Sequence, residues 1–228
     1  MATFVIVHGG WSAAWEWQAF APLLEQEGHR VYRTTLTGAG ERVYLASPAV
    51  DLDTHILDVA NVLYYEDLRE VVLVGHSGGG MAITGVADRM PERLRHLVYV
   101  DAVVPEDGQS VADLLGPAVM ADWEARARTQ GDGWRLPSPF GGATERHTPV
   151  LMAMVRQPIR LTNPAAAAVP RTYIYCTDKP DAPVFAAFKT TAARVKTAPG
   201  WRYRELPARH TAMLHLPREL ADLLLELA

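Results

Sequence analysis

The 228-residue sequence contains a single cysteine, Cys176, so no disulfide can form within the chain. It also lacks any block of like charges: 22 basic residues stand against 26 acidic ones, and the net charge is −4. The sequence therefore shows neither a basic footprint for nucleic acid nor a polybasic face for an anionic membrane. No apolar run is long enough to cross a bilayer. These absences argue against nucleic-acid binding, membrane insertion and a disulfide-stapled scaffold.

The beginning of the sequence lacks the features of a secretory signal. Positions 3–7 form a short apolar β-type run with no basic region before it and no separate hydrophobic region. Together with the lone cysteine, this predicts a cytoplasmic protein that can fold in a reducing compartment. The sequence leaves the oligomeric state open, and a homodimer is compatible with it.

Short β-rich runs alternate with helical patterns along most of the chain, 49% of which is hydrophobic. The predicted strands are at 4–7, 29–34, 71–74, 96–100, 172–176 and 201–206. The predicted helices are at 15–27, 53–65, 78–90, 184–195 and 217–227, with Asp53 as the N-cap of the second. The strands at 71–74 and 96–100 are apolar almost throughout, as in a parallel sheet covered on both faces. This alternation predicts a doubly wound, mostly parallel α/β sheet.

Positions 103–170 break the alternation. They are rich in Pro, Gly, Trp and Met and show no clear strand, with weak helical patterns at 111–115 and 119–129. A structureless loop of that length is uncommon in a compact domain. We therefore expect one domain spanning 1–228, with a small, mostly helical cap inserted at about 103–170. A partly disordered insertion is the alternative, and the aromatic and aliphatic content argues against it.

A Gly-His-Ser-Gly-Gly run at positions 75–79 separates an apolar strand from a helical pattern. This is the setting of a nucleophile elbow, in which a serine is exposed on a tight strand-to-helix turn. Small neighbours are needed there because the turn leaves no room for side chains. The pattern predicts Ser77 as a nucleophile; a serine N-cap on an ordinary helix is the alternative.

Acyl transfer by such a serine needs two N–H donors for the developing oxyanion. The Gly78 amide directly follows the nucleophile, and the Gly10 amide lies in the loop after the first strand. For that loop, a glycine turn that serves only chain reversal is the alternative. In this type of site the base follows the nucleophile and the acid in the chain, which points to His210 after the last predicted strand. His215, at the start of the final helix, is the competitor.

The base needs a carboxylate that fixes its tautomer and stabilises the imidazolium. One candidate position follows the strand at 172–176 and offers Asp178 and Asp181. The other is Asp101, which ends the strand at 96–100. A carboxylate at the end of a buried strand is costly unless it is paired. A purely structural Asp101 that caps the following turn is the alternative.

These residues carry a family resemblance. The chain resembles an α/β-hydrolase and, within that fold, is similar to the hydroxynitrile lyase and plant methylesterase group. In that fold the cap is inserted after the sixth strand. The resemblance covers nearly the whole chain, loosely across the cap, and rests on positions 4–10, Trp-Glu-Trp at 15–17, the elbow at 75–79, and the segments 172–177 and 210–214.

Two departures from the family pattern bear on chemistry. Cyanohydrin cleavage in that group uses a lysine directly after the catalytic histidine, where this chain has Thr211, and the plant lyases carry threonine where this chain has Gly9. Both differences favour ester hydrolysis. Lys179 occupies the family's usual acid position, with Asp178 one residue early. Other α/β-hydrolases take their acid from the end of the preceding strand, which favours Asp101.

The sequence as a whole predicts a serine esterase without cofactor or metal, which cleaves a small-to-medium apolar carboxylic ester through an acyl-enzyme on Ser77. The alternatives are a hydroxynitrile-lyase-like or other non-hydrolytic acid–base enzyme, and a non-catalytic ligand-binding protein on the same fold. The residues expected around the substrate are Gly9, Trp11, His76, Trp134 and Met213, with Trp123, Phe140, Met152 and Met154 contributed by the cap.

Overall fold

A computed structural model of the chain describes residues 1–139 and 146–228. Its strands are β1 (Thr3–Val7), β2 (Arg30–Thr34), β3 (Val71–His76), β4 (Leu94–Val100), β5 (Arg135–Leu136), β6 (Val150–Leu151), β7 (Arg171–Cys176) and β8 (Trp201–Leu206). Six of them form a sheet in the order β2–β1–β3–β4–β7–β8, and every neighbouring pair is parallel. The predicted parallel α/β sheet is confirmed.

Helices cover both faces of this sheet. They are α1 (Ala21–Glu25), α2 (Leu52–Tyr65), α3 (Gly79–Arg89), α4 (Val111–Leu115), α5 (Pro117–Gln130), α6 (Met152–Arg156), α7 (Pro183–Thr197), α8 (Ala212–His215) and α9 (Pro217–Leu225). Alternate residues of β1 point to opposite faces. Val5 and Val7 join the core cluster formed with α2, α3 and α7, whereas Phe4 and Ile6 join the cluster formed with α9. The sheet is therefore buried on both sides, which explains its nearly continuous apolar strands.

Two helix predictions need correction. The stretch predicted as one helix at 15–27 is a 3₁₀ turn, Ala14–Trp17, followed by α1. Pro22 lies in the first turn of α1, and a proline inside one longer helix would remove a hydrogen bond and clash with the preceding turn. The N-cap of α2 is Asp51 rather than Asp53, because the Asp51 side chain accepts the Thr54 amide at 2.9 Å.

The described part of the segment between β4 and β7 contains α4, α5, α6 and the two-stranded sheet of β5 and β6. The expectation that it has no strand is wrong, because β5 and β6 pair antiparallel over two residues each. Ser110 and Asp113 form a capping box that starts α4. Across residues 1–139 and 146–228, no helix has the length and apolar character needed to span a membrane.

Candidate active site

Ser77 directly follows β3 and stands at the entrance to α3. Its φ of +53° lies in the left-handed region, which non-glycine residues adopt rarely and at a cost in strain. The turn is crowded: a Cβ placed on Gly80 would lie 1.9 Å from the Val103 carbonyl oxygen. The Ser77 carbonyl also accepts the Val103 amide at 3.1 Å, which ties the turn to the segment after β4. The chain therefore has the strained strand–turn–helix geometry that the sequence predicts at this position.

The loop after β1 lies against this turn. A Cβ on Gly9 would be only 2.7 Å from the Ser77 Cβ, so a larger residue at position 9 would displace one of the two. A Cβ on Gly78 would lie 3.8 Å from the Gly10 nitrogen, which brings these two glycines close together beside Ser77. Within the described part of the chain, neither the Gly10 nor the Gly78 amide donates to a protein acceptor. Two N–H groups next to the serine are thus available to a ligand.

His210 lies in the loop between β8 and α8 and is joined to Asp101. Its Nδ1 donates to Asp101 Oδ2 at 2.6 Å, which directs the Nε2 edge of the ring away from the carboxylate. The Phe185 and Phe188 rings of α7 lie 5.4 and 5.0 Å from the imidazole, centroid to centroid. The imidazole is therefore held by a carboxylate on one side and by aromatic packing on another.

Asp101 is completely buried at the end of β4, with a φ of +42°. Its second oxygen, Oδ1, accepts from Lys179 Nζ at 2.5 Å and from the Cys176 amide at 3.3 Å. Burial by itself would raise the pKa of Asp101, but the hydrogen bond and charge of His210, together with Lys179, hold it below its ordinary value. Asp101 is therefore an ionised, fully paired carboxylate behind the histidine.

The alternative acids and the alternative base lie elsewhere. Asp178 and Asp181 are exposed, and neither forms a hydrogen bond or ion pair with His210. The Asp178 amide is used to donate to the Ala208 carbonyl at 3.0 Å. His215 is exposed at the end of α8. The structure brings Asp101, and not Asp178, to His210.

A cavity of about 510 Å³ opens over Ser77 and His210, and both residues line it. Its walls are mainly apolar, and most of them come from the segment between β4 and β7 and from α7. Ser77 Oγ and His210 make no direct hydrogen bond. Such contacts are often long in the free state of a hydrolase and tighten when substrate binds. Among the side chains that form the apolar wall are Val111, Leu115, Val119, Trp123, Phe185 and Phe188.

The family is decided by comparison with known proteins. Residues 4–223 match the model of a family described as the alpha/beta hydrolase family. The chain belongs to that family. The sequence-based expectation of an α/β-hydrolase fold is therefore confirmed.

This α/β-hydrolase is similar to three known proteins, two by sequence and one by structure. It is 36% identical over 240 residues to the carbendazim hydrolyzing esterase of Nocardioides sp. (strain SG-4G), covering 97% of this chain and 98% of that protein. It is 36% identical over 105 residues to the alpha-hydroxynitrile lyase of Arabidopsis thaliana, covering 45% of this chain and 40% of that protein. An extracellular alpha/beta-hydrolase from a Paenibacillus species superposes with a TM-score of 0.84 at 24% identity, covering 100% and 99% of the two chains.

His76 contacts the loop that carries His210 in this α/β-hydrolase. It lines the cavity, and its Nε2 donates to the carbonyl oxygen of His210 at 2.9 Å. Burial, followed by the neighbouring charge of His210, lowers the pKa of His76 to about 3, so this ring is neutral at physiological pH. Its Nδ1 is buried and, within residues 1–139 and 146–228, has no hydrogen-bond partner. The hydrogen bond from its Nε2 therefore holds the backbone carbonyl of His210 in place.

Some of the expected pocket residues lie elsewhere. Trp11 lines the cavity and packs edge-on against Trp123, with ring centroids 5.3 Å apart, whereas Gly9 lies behind Ser77 and borders a smaller space of about 40 Å³. The expectation for Met213 is wrong: it is 1% exposed and packs in the core on the α9 side of the sheet. Trp134 is also absent from the cavity wall, and the Arg135 guanidinium lies 4.9 Å from its ring centroid.

The residues that the sequence predicts as the cap's contribution to the pocket do not all line the cavity. Trp123 and Met154 line the cavity, and Met152 is fully buried in the core. Phe140 lies outside the described residues. In the described portions of the chain, no cluster of three or more His, Cys, Asp or Glu side chains is placed to hold a metal ion.

The sequence-based prediction missed four ionisable residues that line the cavity, Glu16, Asp122, Arg126 and His147, of which Glu16 is the most buried. Glu16 is 5% exposed, and its Oε2 has no hydrogen-bond partner among the residues that the structure describes. Burial raises the pKa of Glu16, while the Ser12 hydroxyl and the charge of His210 partly oppose that shift. The available signal was an acidic residue between two tryptophans, Trp15 and Trp17, directly after the first loop.

Proposed function

We propose that this protein is a serine esterase that cleaves a small-to-medium apolar carboxylic ester through an acyl-enzyme on Ser77. The observation that carries the proposal is the 2.6 Å hydrogen bond between Asp101 and His210, with His210 and Ser77 facing one cavity. Similarity along 97% of the chain to an esterase supports ester hydrolysis as the reaction.

In this mechanism His210 acts as the general base. Its Nε2 takes the proton of Ser77 Oγ as the oxygen attacks the ester carbonyl carbon. Asp101 stays ionised, keeps the proton of the ring on Nδ1 and stabilises the imidazolium. His210 then gives the proton to the departing alcohol, and water hydrolyses the acyl-enzyme by the same sequence of steps.

The negative charge that develops on the carbonyl oxygen is stabilised by the amides of Gly10 and Gly78. Both N–H groups lie beside Ser77 and make no hydrogen bond to another described residue. Donors that are already oriented need no reorganisation during the reaction, and removal of one such donor typically costs about 10²–10³ in kcat. The open amides therefore fit an oxyanion hole.

The cavity supports the proposed substrate class. A volume of about 510 Å³ with mainly apolar walls suits a small-to-medium apolar ester. We assign residues 103–170 as a cap within a single domain spanning 1–228, because the described part of this segment supplies a large share of that wall. Trp123 and Met154 of this segment are then substrate-facing residues.

The two alternatives are less well supported. A lyase is not favoured because the position after His210 is Thr211 and position 9 is glycine. The match to the hydroxynitrile lyase covers less than half of either chain. A ligand-binding protein without activity would not need the paired Asp101 and His210 behind an accessible serine.

A screen over p-nitrophenyl esters of rising chain length, with adduct mapping, tests the proposal. We expect turnover of the shorter and medium esters, loss of turnover in Ser77→Ala, and a fluorophosphonate adduct on Ser77 identified by mass spectrometry. Ser47→Ala, outside the cavity, is the matched control and should keep both activity and adduct. Unchanged ester turnover in Ser77→Ala would overturn the proposal, and cleavage without a Ser77 adduct would favour a lyase.

The proposal extends to location and assembly. The single buried cysteine fits a cytoplasmic protein, and cell fractionation should find it there. Size-exclusion chromatography with light scattering will distinguish a monomer from a homodimer.

A further inference from the structure

Lys179 follows β7, and its side chain is turned inward toward Asp101 rather than toward solvent. The Lys179 side chain is only 5% exposed. Its Nζ lies 2.5 Å from Asp101 Oδ1 and 2.5 Å from the Cys176 carbonyl oxygen. Lys179 thus contacts the same carboxylate that pairs with His210.

A buried ammonium is costly unless its charge and its donors are satisfied. Here Nζ also lies 3.9 Å from the centroid of the Tyr175 ring, within the range of a cation–π contact. The carboxylate, the carbonyl and the ring face together hold the Lys179 ammonium in one position. Lys196 also pairs with a carboxylate, Glu205, and lies near the Tyr203 ring, but its side chain is 58% exposed, whereas that of Lys179 is buried.

The two oxygens of Asp101 are consequently not equivalent. Oδ1 accepts from Lys179 Nζ and the Cys176 amide, whereas Oδ2 accepts from His210 Nδ1. We propose that Lys179 is a positioning residue that anchors Oδ1 and balances the charge of Asp101, so that Oδ2 alone is presented to His210. This inference rests on the proposed esterase function, because it assigns a role behind the base of that mechanism.

The ammonium has an electrostatic consequence for the histidine. With Lys179 in place, His210 faces a nearly neutral ion pair; without it, the ring would face an uncompensated carboxylate. Among the described residues, Glu16 and His76 also interact electrostatically with His210, and Asp122 and Arg126 line the same cavity; Lys179→Met leaves all four side chains in place. Loss of the lysine charge should therefore favour the imidazolium.

Lys179→Met tests this inference because it keeps the length of the stem and removes the charge. We expect the midpoint of the His210 ring titration, followed by NMR, to rise by about one pH unit. The acid limb of the kcat/KM profile should move upward by the same amount. Above that limb, kcat should fall about tenfold with little change in KM, because the carboxylate has lost its anchor.

Two further variants separate positioning from a structural role. Lys179→Arg keeps the charge and the donors and should retain the wild-type midpoint. Lys189→Met, at an exposed position of α7, should behave as wild type in every assay. A purely structural lysine would lower the melting temperature of Lys179→Met and leave the titration midpoint of the folded fraction unchanged. An unchanged or lowered midpoint in Lys179→Met would overturn the proposal.

A measurement on the unmutated protein covers the case in which the variants do not fold. In protein labelled with ¹⁵N-lysine, the resonance of the buried Lys179 ammonium should shift as His210 titrates, because both contact the same carboxylate. Absence of that shift would contradict the inference. The NMR arms need no turnover, so an inactive protein in which the midpoint rises would retain the role of Lys179 and reject the esterase.

Discussion

Asp101 Oδ2 accepts a 2.6 Å hydrogen bond from Nδ1 of His210, although the two residues are 109 positions apart in the chain. Asp101 directly follows β4 and His210 follows β8; these strands run parallel in one sheet with β3, so their carboxyl ends lie at the same edge as Ser77. The end of β4 therefore opens beside the serine turn. This relationship leads to a direct test of the proposed acid.

Asp101→Asn should lower kcat by about 10⁴-fold, because an amide favours the wrong tautomer of the His210 ring. Steady-state kinetics on a p-nitrophenyl ester measures the change. Asp178→Asn is the matched control, since its side chain is exposed and lies away from His210, and it should stay within about twofold of wild type. Failure of the Asp178 variant alone would show that the acid is misassigned.

Gly9→Ala should reduce turnover because its new Cβ would lie 2.7 Å from the Ser77 Cβ and 3.0 Å from His76 Nδ1. A contact that short forces Ser77 or the loop after β1 to move. A displacement of about 1 Å can lower the rate on the order of 100-fold. The ratio of kcat to that of wild type is the measurement, with a melting curve as the check on folding. Wild-type kcat in a folded Gly9→Ala variant would contradict the close approach.

Met213→Ala and Trp123→Ala should affect different properties. Met213 is buried in the core on the α9 side, so its truncation should lower the free energy of unfolding by about 2–4 kcal/mol and leave KM unchanged. Trp123 lines the cavity, so its truncation should raise KM for longer apolar esters. Urea denaturation and Michaelis curves on both variants separate the two roles; a changed KM in Met213→Ala would place it at the substrate after all.

The protein should lose stability as the pH falls below about 6.5 because four buried histidines, His8, His55, His76 and His96, resist protonation. Burial lowers the pKa of His8 to about 4 and that of His76 to about 3 from 6.5, so the unfolded chain binds more protons across that window. Their contribution to stability is complete above the unfolded pKa and declines by about 1.4 kcal/mol per pH unit for each histidine as the pH falls.

Urea denaturation at pH 7 and pH 5 measures this decline. His8→Asn should make it shallower, whereas His215→Asn, at an exposed position, should not. Equal slopes in all three proteins would exclude His8 as a source of the acid sensitivity.

Glu16→Gln should stabilise the protein at neutral pH. Burial raises the pKa of Glu16 above its unfolded value of 4.5, so its favourable contribution is present below that value and is lost as the pH rises through the folded pKa. The glutamine side chain has nearly the shape of the glutamate side chain, and it carries no charge that would lose its hydration on burial. The melting temperature of the variant should exceed that of wild type at pH 7, with a smaller difference at pH 4; a lower value at pH 7 would show that the carboxylate has an unrecognised partner.

Local patterns in the sequence were sufficient for much of the fold. The apolar runs of β1 and β3 and the face formed by Ile56, Val59 and Leu63 follow from the periodicities of strands and helices, which depend on near neighbours only. The serine turn at 75–79 was equally readable, because crowding in a tight turn restricts its own residues to small ones. Helix boundaries were predicted less accurately. The starts of α1 and α2 depend on one residue each, Pro22 and Asp51, and a periodic pattern of apolar residues does not show their effect.

Tertiary structure alone decided which groups meet. The sequence offered Asp101 and Asp178 as partners for His210. In the folded chain the buried Asp101 side chain lies 2.6 Å from the ring, whereas that of Asp178 is exposed. No sequence pattern indicated that the Lys179 side chain would contact Asp101, or that Met213 would point away from the cavity. Side-chain direction in loops is set by packing between distant segments, so the chain specified its nucleophile locally and its charged surroundings only on folding.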